Sequence, residues 1–164
     1  MELAHLESLT WAEAAARLAA ATFLPLAIGL ERFLAKKPID YRPFVIISLA
    51  ACGLLIGALE MIAGLGDTTA QIDPTRVIEG VITGIGFIGA GAMFREGNFV
   101  QGAGSAAAIW CAGAIGLLCG MGQIVLAAVV SAVVLLLLLV SRPLTREWDP
   151  DSHRPGGGSD GGGD

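Results

Sequence analysis

The run from Glu79 to Gly97, EGVITGIGFIGAGAMFREG, constrains the fold more than any other part of the chain. It is apolar enough for a bilayer, yet it carries five glycines: Gly80, Gly84, Gly86, Gly89 and Gly91. In a water-soluble helix each glycine costs about 1 kcal/mol relative to alanine. In a membrane, small residues let neighbouring backbones approach, and packing replaces the hydrophobic drive that lipid removes. At helical spacing Gly80, Gly84 and Gly91 fall near one face, and Gly86 and Gly89 mark a second. Two small faces predict a helix at the centre of a bundle.

The same run contains Gly84-Ile-Gly86-Phe-Ile-Gly89, the G-x-G-x-x-G spacing of dinucleotide-binding folds. That reading needs strand–helix alternation around the motif and an acidic residue about 20 positions further on to hold a ribose. Neither is present, so helix packing is the better account.

The 164 residues are 54% hydrophobic and 15% charged, with a mean hydropathy of +0.71. Length allows one compact domain, and the apolar content exceeds that of an ordinary soluble one. Several segments approach or reach the ~20 residues that a spanning helix needs. The expected fold is an all-α, polytopic membrane helix bundle of about five transmembrane helices over residues 1–145. Residues 146–164 form a Gly/Asp-rich tail with nothing to bury, expected to be disordered and cytoplasmic. The net charge of −5 is modest, and Asp149, Asp151, Asp160 and Asp164 contribute to it from the tail. Without a basic patch interleaved with aromatics, nucleic acid is not an expected partner. Cys52, Cys111 and Cys119 lie in apolar segments with no C-x-x-C spacing, which predicts buried thiols rather than a disulfide or metal site.

Along the chain, Thr10-Trp-Ala-Glu13 reads as a capping box at the start of the first helix. The apolar run Leu18–Leu30 reaches spanning length when extended back to Trp11 and on to Leu34. The second helix is expected over about Phe44–Leu65. Asp73-Pro74 predicts the start of the third, with Asp as N-cap and Pro at the first position, running to Phe94. A glycine-rich loop turning at Gly97-Asn98 leads to a short Ala/Gly-rich fourth helix over about Ser105–Cys119. The fifth, Gln123–Val140, is rich in Leu and Val and is expected to face lipid, with Ser141-Arg-Pro143 stopping it.

Five spans place the termini on opposite sides. Arg32, Lys36, Lys37, Arg42, Arg95, Arg142, Arg146 and Arg154 would share one side, and Arg17 and Arg76 the other. This bias predicts an N-out, C-in orientation.

Charged side chains within spans are costly unless paired or wetted, so each is a functional candidate. Glu60 and Glu79 lie toward the same end of the second and third helices, joined by a connector with Asp67 and Asp73. Four carboxylates there would suit a hard divalent cation such as Mg²⁺. The alternative pairs Glu79 with Arg76 at i,i+3 and leaves Glu60 at interfacial water. Glu31-Arg32 reads either as an interfacial charged boundary or as a tie between helices, reaching Arg95 or the glycine-rich loop. His5 and His153 lie in the terminal segments, and no nucleophile–base constellation, P-loop or H-E-x-x-H motif occurs, so an enzyme is not expected.

Asp73-Pro-Thr-Arg76, the Gly84–Gly91 run, Arg95-Glu-Gly97 and Ser105-Ala-Ala-Ala-Ile-Trp110 follow one another as in the MgtC/SapB family. Gly29-Leu-Glu31-Arg32 resembles that family's first motif, and the resemblance covers about residues 15–140. The resemblance singles out Glu31, Arg32, Asp73, Arg76, Arg95 and Trp110 as family-motif positions. Glu79 stands where the family pattern has Gln, and Gln101-Gly-Ala-Gly104 replaces a usual Gly-Leu-Thr/Asn-Thr. Best-known members carry a soluble C-terminal domain where this chain has its short tail, so the chain reads as a short form. The resemblance implies a multi-pass protein of the bacterial inner membrane that supports growth at low Mg²⁺ and, in pathogens, survival inside macrophages. It further implies restraint of the F-type ATP synthase and control by small membrane peptides. The expected partners are the bilayer, that synthase or such peptides, and further copies of the chain. No cofactor is expected beyond Mg²⁺ as a ligand. Modulation of another membrane complex is the leading expectation. A cation carrier or channel using Glu60 and Glu79, and a structural helix-packing subunit, are the alternatives.

Overall fold

The computed structural model describes residues 8–35, 40–65, 73–96 and 99–146, which form five helices and one short hairpin. Helix α1 (Trp11–Leu34) begins at the expected capping box: Thr10 Oγ1 accepts the Glu13 N–H at 3.2 Å, and the Glu13 carboxylate accepts the Thr10 N–H at 2.9 Å. Two otherwise orphaned donors are satisfied reciprocally. Helix α2 (Arg42–Gly64) starts with Pro43 in its first turn, where a missing N–H costs nothing.

Helix α3 (Thr75–Gly91) ends three residues earlier than the sequence suggests. At its start the Asp73 carboxylate accepts the Thr75 N–H at 2.9 Å. Hydrogen bonds from the Thr75 side chain and backbone hold the Asp73 carboxyl below the usual carboxylate range. Phe94 belongs instead to β1 (Phe94–Glu96), which pairs antiparallel with β2 (Phe99–Gln101), placing Arg95 opposite Val100. The expected turn at Gly97-Asn98 lies outside the described residues.

Helix α4 (Ala103–Gly120) is three residues longer than expected and starts behind Gly102 at φ +86°. A Cβ on Gly102 would collide with the Ala92 carbonyl, so both the left-handed backbone and the close approach require glycine. Helix α5 (Ile124–Arg146) runs through Ser141-Arg-Pro143, the stretch expected to stop it. Pro143 falls in the last turn, where it forfeits a backbone hydrogen bond with little helix beyond it to bend. Among the described residues, four helices, α1, α2, α4 and α5, are long and apolar enough to cross a membrane. The 17 residues of α3 extend about 25 Å at 1.5 Å per residue and fall just short.

The expectation that the third helix occupies the centre is corrected. The centre is α4, which α1, α2, α3 and α5 all pack against. Its Ala108, Ile109, Ala112, Ile115 and Cys119 are buried with Ala21, Ile28, Phe44 and Cys52. The physical reason lies in three glycines at helical spacing. A Cβ on Gly113 would strike Ile85 of α3, and one on Gly116 would strike the Ser48 carbonyl of α2. A Cβ on Gly120 would sit 3.0 Å from the Cys52 carbonyl. Among the described residues, Gly89 alone on α3 has such a neighbour, the Ala106 carbonyl at 3.4 Å, and nothing lies within 4 Å of Gly80, Gly84, Gly86 and Gly91.

If α4 is held by backbone contact, a single methyl at the seam must push α2 away. Gly116→Ala should therefore destabilise the solubilised protein by about 1–3 kcal/mol. Gly53→Ala, where nothing lies within 4 Å, should change stability by less than about 0.5 kcal/mol. Thermal unfolding in one detergent compares the two. Equal shifts would refute the close α2–α4 seam.

Candidate functional site

The charged residues singled out by the sequence separate into a buried pair, a pinned end and an exposed face. At the C-terminal end of α1, Glu31 and Arg32 are buried, 4% and 7% exposed. Arg32 Nε lies 2.6 Å from Glu31 Oε2. Gly29 explains how they are enclosed. A Cβ there would sit 3.0 Å from the Tyr41 carbonyl and 3.1 Å from the Phe44 ring, so α1 and the start of α2 close together. Phe33 and Tyr41 add an edge-to-face ring contact at 6.0 Å. Arg32 Nη1 lies 3.8 Å from where a Gly104 Cβ would stand, so the guanidinium rests on the first turn of α4. The burial of Glu31 and Arg32 argues against an exposed boundary, and their ion pair lies within α1, with the guanidinium standing beside the first turn of α4.

At the opposite end of α1, Ser8 donates from both its N–H and its hydroxyl to the Glu60 carboxylate, the N–H bond being 3.2 Å. This pins the entry of α1 to the last turn of α2. Nearby, Arg17 Nη1 donates to the Gly120 carbonyl at 2.7 Å, closing the C-terminal end of α4 with a cation where the helix dipole favours one. Gly122, at φ +79°, brings its backbone against the same guanidinium. Sequence reasoning counted Arg17 only as a charge in the orientation balance. The signal that could have found it is the tight Gly120-Met-Gly122 reversal, whose carbonyls need a donor.

Asp73, Arg76 and Glu79 are all exposed, and no ion pair joins Arg76 to Glu79. Glu60 is engaged on the α1 side of α2, and Glu79 stands on the open surface of α3. Asp67, the fourth carboxylate of the envisaged cation site, lies outside the described residues. Among those described, no group of three or more His, Cys, Asp or Glu side chains gathers. Trp110 is 45% exposed, on the side of α4 that also shows Gly104 and Ala107. Two inter-helix features were not legible from motifs: Ser131 Oγ donates to the Leu24 carbonyl at 3.1 Å, and Ser48 Oγ is buried with no hydrogen-bond partner.

Removing one partner of a buried ion pair strands the other charge, at a cost of about 3–5 kcal/mol. Arg32→Leu alone should therefore lower stability strongly. The Glu31→Leu/Arg32→Leu double variant should cost less than the sum of the singles by about 1–3 kcal/mol. A double-mutant cycle by chemical or thermal unfolding in detergent measures the coupling. Additive losses would mean that the two charges do not stabilise one another.

The model of the MgtC family matches residues 18–147. Protein MgtC of Brucella abortus is 34% identical over 145 residues, covering 88% of this chain and 58% of its own length. Protein MgtC of Salmonella typhimurium is 35% identical over 106 residues, covering 65% of this chain and 42% of its own. An uncharacterized protein of Haemophilus influenzae is 35% identical over 131 residues, covering 78% of this chain and 55% of its own. The chain thus spans about half the length of these curated relatives. No solved structure matches. On a family match over most of its length, this membrane protein belongs to the MgtC family.

Proposed function

We propose that this chain is a multi-pass protein of a bacterial inner membrane that modulates another membrane complex when Mg²⁺ is scarce, and that it neither carries ions nor catalyses a reaction. The observation that supports this reading is the sealed, apolar interior. From Ala21 and Cys52 to Ile109 and Ile115 the core is hydrocarbon and thiol. Among the described residues the buried polar side chains are the Glu31–Arg32 pair at one end and three serines. A carrier needs a wetted or liganded path through the bilayer, because an unpaired charge at its centre costs several kcal/mol. Glu60, the acid nearest such a path on α2, is held by Ser8. The F-type ATP synthase is the complex we propose as target, with small membrane peptides as regulators, both on the family resemblance alone.

Vesicles separate modulator from carrier. Purified protein should give no Mg²⁺ uptake above empty vesicles, whereas deletion in cells should alter growth or ATP level at low Mg²⁺. The Glu60→Gln/Glu79→Gln variant should restore that phenotype at least partly. Robust uptake abolished by the double variant would replace this reading with a Mg²⁺ carrier.

The N-out, C-in orientation belongs to the same proposal and requires α3 to cross with the other four helices. An alkaline phosphatase fused after Arg146 should then be inactive. An active fusion would place the C-terminal end outside and overturn the N-out, C-in proposal.

A further inference from the structure

The outward arc of α3 is unlike a lipid-facing surface. Arg76, Glu79, Thr83, Gly86, Phe87 and Ala90 are all exposed and, at 100° per residue, share that arc. On α5, by contrast, the exposed large side chains, among them Val125, Val129, Val133 and Leu137, are all Val or Leu, which lipid accepts without cost. Nor does α3 stand clear of the membrane. Ile78, next to Glu79, packs against the cluster of Ala51, Leu55 and Leu117. Leu55 lies nine residues before the end of α2, about 13 Å along the helix axis. Arg76 and Glu79 form no ion pair within the described residues, and a charge beside the packed Ile78 is costly unless it pairs or faces protein.

We propose that this arc is covered by the α3 of a second copy, in a two-fold dimer. The occupant is identified by charge. Arg76 and Glu79 sit one turn apart on the same face, so the surface is neutral and complementary to itself. Copies inserted in the same orientation run their α3 helices parallel, about a two-fold axis along the membrane normal. In an isologous contact residue i meets j and j meets i. Arg76 of each copy therefore meets Glu79 of the other across an axial offset of about 4.5 Å, which the two side chains bridge. Exposed Gly86 on this arc and Gly80 at its edge, with nothing within 4 Å among the described residues, let the two backbones approach. The patch also carries a knob and a hole: Phe87 is 83% exposed, and an apolar groove of about 390 Å³ opens beside Gly80 and Gly84 against Ala50 and Leu54 of α2. Phe87 of each copy enters the groove of the other. The pairing goes beyond the modulator reading and stands or falls apart from it.

Charge exchange tests the pairing with the full chain in nanodiscs or mild detergent. Wild type should be dimeric by mass. Arg76→Glu or Glu79→Arg alone should raise the dimer dissociation constant about tenfold or more, which corresponds to about 1.4 kcal/mol. The double exchange R76E/E79R should restore it. Circular dichroism should show the same helix content in every variant, because both side chains are exposed and form no ion pair among the described residues. In membranes, on a background with the three native cysteines replaced by alanine, Thr83→Cys should cross-link to dimer and Leu137→Cys on α5 should not. A monomer at every concentration would overturn the proposal. So would cross-linking at Thr83 no faster than at Leu137, cross-linking of Thr83 to a different protein, or a double exchange no better than the single changes.

Discussion

The bundle depends on the seam where α4 meets α2 with no side chain between the backbones. Gly116 lies against the Ser48 carbonyl and Gly120 against that of Cys52. Lipid tails offer an apolar side chain the same contact that a neighbouring helix does, so hydrophobic burial cannot select one partner over another. What a helix gains over lipid is close, dense contact. Each atom pair contributes only about 0.1–0.2 kcal/mol, but a backbone-to-backbone seam brings many into range together. Gly113 extends the same principle to α3 by admitting Ile85. The small residues of α4 fix its four neighbours at distances that larger side chains would forbid.

The charges obey the same central helix. Arg17 closes the C-terminal end of α4, where exposed carbonyls present partial negative charge and a cation is favourable. Arg32 rests at the other end, where the dipole by itself opposes a cation. Glu31 resolves that conflict: its carboxylate neutralises the guanidinium from 2.6 Å, and the pair stays buried. A buried pair gives little net stability, because both ions have left water, but losing either partner is severe. That asymmetry explains why two adjacent charges can remain in a chain otherwise selected for apolar helices.

Much of this architecture was legible. Hydrophobic length and the Pro, Gly and Asp punctuation located all five helices, and the capping box at Thr10 and Glu13 fixed the first residue of α1. Glycine density, however, pointed to the wrong centre. Five glycines in α3 outweighed three in the latter half of α4, although what matters is whether a neighbour's backbone fills the space beside each one. Only tertiary structure decides that: Gly84 is open, and Gly116, with the same side chain, is closed. Pair partners were hidden for a related reason. Ser8 with Glu60, and Arg17 with Gly120, join positions far apart in sequence, and no local pattern encodes such contacts. The burial of Glu31-Arg32 was half legible, because Gly29 one turn earlier marks the close approach of Tyr41 that encloses them.

A centre closed by backbone contact also restricts where the chain can act. Packed interiors have discrete arrangements and do not deform gradually, so opening a path along α4 would require the Gly116 and Gly120 seams to part together. Among the described residues no charged side chain lines those seams, and the Ser48 hydroxyl is the one polar side chain named there. The regions that can change partners without breaking the core are the surfaces. Of these, α5 offers lipid a uniform aliphatic face, whereas α3 offers charge, hydroxyl and glycine on a helix that touches the bundle through Ile85 and Gly89. The modulator proposed above would communicate sideways, through helix-to-helix contact within the membrane. That physical asymmetry favours a modulator over a conduit.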